Sequence, residues 1–148
     1  MTEAASRPAF PRKDAHGRIA VLADLLGLVA AGLVGSAVVL MVFDALLSLL
    51  GSGKFGQLSG WLAVVLPVML LVEEFRAWTG WRRTLVAAVS LLLAGGAGML
   101  LAGLLSWPPL ATGALGATVT VLGYATLWFF GIRLAESSAA VPAGRKQP

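Results

Sequence analysis

The chain has 148 residues, a formal net charge of +4 and no cysteine. Apolar residues make up 58% of it and charged residues 12%, with a mean hydropathy of +0.87. Soluble domains carry roughly a quarter charged residues, and a small domain buries only part of its surface. A soluble globular fold is therefore excluded, and the lipid bilayer is the expected solvent.

The same numbers exclude several function classes. Without cysteine there is no disulfide framework, thiolate nucleophile or cysteine metal site. The single histidine, His16, lies in a polar stretch, so an internal bis-histidine haem is ruled out. The basic residues flank the apolar segments instead of lining one helix, which is how topology signals are placed. No nucleic-acid partner is expected.

Residues 1–18 are rich in proline, small polar and basic residues and read as a disordered basic tail. The apolar run that follows is longer than the 7–15 residues of a signal-peptide core, so the tail is expected to be retained. Residues 19–134 form the predicted membrane domain, with spans at about 19–50, 58–78, 84–105 and 110–133. The fold class is thus an all-α integral membrane protein, a small bundle of four transmembrane helices.

The first span is bracketed by Asp24 and Asp44, twenty residues apart. That separation is about 30 Å along a helix, so the two acids belong to opposite interfaces. Gly27, Ala31 and Gly35 recur every four residues between them, a small-residue ladder that lets another helix approach closely. Asp24 falls on the side of this ladder and is expected to face protein.

A glycine- and serine-rich turn containing Lys54 leads to the second span. Pro67 is expected to kink that span. Glu73 and Glu74 end it near the head groups, with Arg76 spaced to pair with Glu73. The third span has no charge and carries Ala94, Gly98 and Ala102 at four-residue spacing. The fourth repeats the spacing with Thr112, Gly116 and Thr120 and closes at Arg133. Residues 135–148 read as a second disordered tail.

Orientation follows from the basic residues. Of the eleven, Lys54 alone falls on one side, and the rest lie in the two tails and the loop around Arg76, Arg82 and Arg83. Both termini are therefore expected in the cytoplasm. Trp61 and Trp107 fall at the outer boundary and Trp78, Trp81 and Trp128 near the inner one, as interface anchors. Eight arginines against three lysines, with abundant Ala, Gly, Leu and Val, point to the inner membrane of a bacterium.

The topology gathers Asp24, Glu73 and Glu74 at the inner face, with Arg76 and Arg133 as ion-pair partners. Acids at membrane depth often mark ion or proton pathways, and a shallow ion-pair network that pins helix ends is the competing reading. No HExxH, phosphate loop or Ser-His-acid set is present. No metal, cofactor or catalytic residue is expected. The sequence favours a non-enzymatic accessory or scaffold subunit packed on another membrane protein or on itself. A small oligomeric transporter or channel using the inner carboxylates is the alternative, and a lipid-processing enzyme is a weaker one.

Overall fold

A computed structural model describes residues 10–51 and 60–140, with side chains through residue 138. The described residues hold four α-helices and no strand beyond one isolated bridge. They are α1 (Leu22–Leu49), α2 (Val65–Arg76), α3 (Trp81–Leu104) and α4 (Pro109–Ala140), with a 3-10 turn at Leu62–Val64 leading into α2. Lys54 and the rest of 52–59, residues 1–9 and residues 141–148 lie outside the described residues.

Helices α1, α3 and α4 are long and apolar enough to cross a membrane. Their outer faces bear large apolar side chains, including Val34, Met41 and Phe43 on α1 and Leu92, Met99 and Leu100 on α3. So much exposed apolar surface is stable only against lipid or protein. The molecule is an all-α, membrane-type fold.

Helix α4 is the hub. It packs along α3 and also meets α1, the 3-10 turn and α2. Small side chains set the α3–α4 distance. Ser90, Ala94, Gly98 and Ala102 form the buried row of α3. A Cβ at Gly98 would stand 2.6 Å from the Gly116 carbonyl oxygen and 2.1 Å from Thr120 Oγ1, so only glycine fits there. Close backbone approach of this kind replaces the hydrophobic effect as the force joining helices in lipid.

On α1 the packing row differs from the ladder expected. Leu25, Val29, Gly32, Leu33 and Ser36 are buried, whereas Gly27 and Ala31 are exposed and Gly35 is half-buried against Leu66. The α1–α2 contact centres on Gly32, where a Cβ would come within 3.2 Å of the Pro67 nitrogen. Nearly every α1 side chain is apolar, so hydropathy cannot say which small residues face inward.

Pro67 lies in the first turn of α2, directly after the 3-10 turn Leu62–Val64, within a helical stretch that runs from Gly60 to Arg76. Two boundaries move. Gly80, at φ +90°, lies in a region open to glycine and starts α3 at Trp81. Helix α4 runs past Arg133 to Ala140, into the stretch expected to be a tail.

Candidate functional site

The polar chemistry collects at one end of the bundle, around a segment that the sequence places in a disordered tail. Residues 10–20 fold back as a strap. Asp14 and Gly17 occupy the ends of an Asp-x-x-Gly turn, and the Asp14 carboxylate accepts the amides of His16 (2.8 Å) and Arg18 (2.9 Å). The Asp14 amide donates to the Arg18 carbonyl at 2.8 Å and that of Ala20 to the Arg12 carbonyl at 2.9 Å, closing the loop. Two bound amides, the Arg18 amide foremost, hold the Asp14 carboxyl below its ordinary pKa.

Three helices bind this strap. Asp24, in the first turn of α1, is 5% exposed. Its Oδ2 accepts the Arg12 amide at 2.8 Å and Nε–H at 3.0 Å, and its Oδ1 accepts a terminal guanidinium nitrogen at 2.9 Å. A helix N-terminus favours a carboxylate, which makes this a sound place to anchor an arginine. The hydrogen bond to Asp24 raises the Arg12 pKa.

On α2, Glu74 is 6% exposed and accepts the Ile19 amide at 3.2 Å and Trp78 Nε1–H at 3.0 Å. On α4, Arg133 donates to the carbonyls of Phe129 (3.0 Å), Ile19 (2.8 Å) and Ala20 (3.4 Å). Its guanidinium lies 3.4 Å from the centre of the Phe129 ring. Arg18 pairs with Glu136 at 2.9 Å and covers the Trp78 ring at 4.0 Å. Beneath it, Trp78 and Trp128 meet edge to face at 6.4 Å, and Phe75 packs on Trp128 at 5.7 Å.

Several expected roles change here. Arg133 grips main-chain carbonyls and is not an ion-pair partner of the acids. Among the described residues the ion pairs are Arg12–Asp24 and Arg18–Glu136, so Arg76 and Glu73 do not pair with each other. Both are exposed. Trp78 and Trp128 are core residues, 3% and 1% exposed: Arg18 of the strap covers Trp78, and Trp78 and Phe75 pack on Trp128. Trp61 is half-buried against Gly116, while Trp81 and Trp107 remain exposed.

Asp24 and Glu74 are brought to one end, each held by a different point of the strap. Glu73 faces a cavity of about 210 Å3 that Lys13 and Glu74 also line. Among the described residues, no three His, Cys, Asp or Glu side chains gather as a metal site would need. Sequence reasoning missed Arg12, Asp14 and Arg18. The Asp14–Gly17 turn signature was the available signal, but their partners lie up to 118 residues away. Comparison with known proteins finds no match: no family model fits the chain, and no curated protein or solved structure matches it.

Proposed function

We propose that the protein is a non-enzymatic accessory or scaffold subunit of a bacterial inner-membrane complex, crossing the bilayer four times with both termini in the cytoplasm. The observation that carries this reading is the commitment of the buried carboxylates. Asp24 and Glu74 each accept hydrogen bonds from the chain's own strap. Carboxylates used in this way anchor structure, and a carrier or channel would need them free to exchange ions.

The helical stretch from Gly60 to Arg76 supplies the fourth span in this reading. Its α-helical and 3-10 parts sum to about 27 Å at 1.5 and 2.0 Å per residue. That approaches the roughly 30 Å hydrocarbon core, and a shortfall of this size costs little. The bias of basic residues toward one side supports the orientation.

Reconstitution tests the functional reading. Purified protein in proteoliposomes is expected to carry no proton or cation flux, and to co-purify in mild detergent with a larger membrane protein at fixed stoichiometry. Flux abolished by Asp24→Asn together with Glu73→Gln, with folding intact, would overturn it in favour of a transporter.

A further inference from the structure

We propose that the groove between α2 and the α3–α4 hairpin holds one acyl chain of an anionic phospholipid, whose phosphate sits on Arg76 and Arg83. The groove has a volume of about 340 Å3, within the range of small-molecule sites. It runs from Trp61 to Phe75, and its walls are apolar apart from Thr120 and Tyr124. Those fourteen steps span about 22 Å with the 3-10 turn counted at 2.0 Å per residue, most of the roughly 30 Å hydrocarbon core. One extended acyl chain matches that dimension.

Its two ends differ in charge. Val64, at the end of the 3-10 turn, and Val68 and Val72 on α2 line the groove at four-residue spacing. Arg76 is the next residue on that helical row, and it is exposed. Phe75 closes the same end, with the Arg83 guanidinium 4.7 Å from its ring centre. Arg83 also donates to the Trp78 carbonyl, which fixes its position. The two acids on α2, Glu73 and Glu74, line the cavity beneath the strap instead of this groove.

Two guanidiniums at the head-group end of an apolar slot select a lipid phosphate bearing net negative charge. Thr120 Oγ1 is buried toward Gly98 in the α3–α4 contact, and no charge lies along the groove's length. The middle of the groove therefore suits a hydrocarbon chain. A second groove of about 380 Å3, lined by Val39, Phe43 and Leu66, lies toward the other end of the bundle and provides a control.

The inference rests on the protein being membrane-embedded. It shares with the proposed function the crossing of residues 60–76, which labelling of Thr79 tests separately, and depends neither on the side that faces the cytoplasm nor on the accessory role. The test exposes the detergent-solubilised full chain to equal amounts of dioleoyl phosphatidylglycerol and dioleoyl phosphatidylcholine, then counts retained lipid by native mass spectrometry. One phosphatidylglycerol per chain is expected, in clear excess over phosphatidylcholine. Arg76→Gln and Arg83→Gln should each lower that preference about fivefold. Val68→Trp, which fills the groove, should remove both lipids, and Val39→Trp should leave retention unchanged. Equal retention of the two lipids by the unmodified chain would overturn the proposal, whatever the variants do. So would a lipid-free dimer, or Val68→Trp behaving like Val39→Trp.

Discussion

The α3–α4 hairpin makes the sharpest energetic prediction, because one methyl group decides it. In Gly98→Ala the new Cβ would lie 2.6 Å from the Gly116 carbonyl oxygen and 2.1 Å from Thr120 Oγ1. Thr120 can rotate away, but a backbone carbonyl cannot. The helices must therefore separate by several tenths of an ångström. That separation also loosens the neighbouring contacts of Ala94 with Gly123 and of Val86 with Gly131. A gap of ~0.5–1 Å forfeits a quarter to a half of each dispersion contact. Overpacking of this kind costs about 1–3 kcal/mol, offset by about 0.5–1 kcal/mol from the better helix propensity of alanine. Gly96 is the matched control, because a Cβ there meets nothing within 4 Å. Gly96→Ala should be neutral or stabilising by up to about 1 kcal/mol. The chain lacks cysteine, so dyes placed at Leu85→Cys and Leu134→Cys can report hairpin opening by energy transfer as the dodecyl sulfate fraction of mixed micelles rises. If the midpoints for Gly98→Ala and Gly96→Ala coincide, close packing at Gly98 does not hold the hairpin.

Three further outcomes concern the strap. Asp24→Asn should release residues 10–20 without unfolding the helices, raising their hydrogen exchange on the order of tenfold, since a hydrogen bond to a charged group contributes about 1.5–3 kcal/mol; unchanged exchange would mean that Asp24 does not anchor the strap. Glu74→Gln places an amide nitrogen among the donors Ile19 N–H and Trp78 Nε1–H, and should cost about 1–3 kcal/mol in the same micelle titration; a midpoint equal to that of the parent would contradict the buried acceptor role. The Asp14 carboxyl should titrate below its ordinary 3.8 when followed by carbon NMR. Because its pKa is depressed in the folded chain, the turn's stabilisation is complete above the ordinary value and is lost as pH falls through the folded one. A midpoint at or above 3.8 would contradict the two amide hydrogen bonds seen at Asp14.

The helical, lipid-facing character was legible because composition alone demands it. The buried row of α3 was also visible in sequence, since Ala94, Gly98 and Ala102 interrupt a run of large residues at helical spacing. Helix α1 offered no such contrast. Gly27, Ala31 and Gly35 compete there with Gly32 and Ser36, and the position of Pro67 on the neighbouring segment decides between them. The strap was illegible for a different reason. Its composition resembles a solvated tail, and its order comes from bonds to Asp24 on the adjoining helix and to Glu74, Arg133 and Glu136, which lie far away in sequence. Distant contacts also turn Trp78 and Trp128 from expected interface residues into core, since Arg18 covers Trp78 while Phe75 and Trp78 pack on Trp128.

The sidedness of Thr79 tests the account most directly, because Thr79 follows the short helical stretch whose crossing is in question. In inside-out and right-side-out vesicles, His16→Cys and Thr79→Cys should react with a membrane-impermeant thiol reagent from the same, cytoplasmic side, and Ser106→Cys from the other. Labelling of Thr79→Cys from the side opposite His16→Cys would mean that residues 60–76 do not cross. The chain would then have three spans, and the proposed placement of its carboxylates and arginines at one membrane face would fall with the fourth.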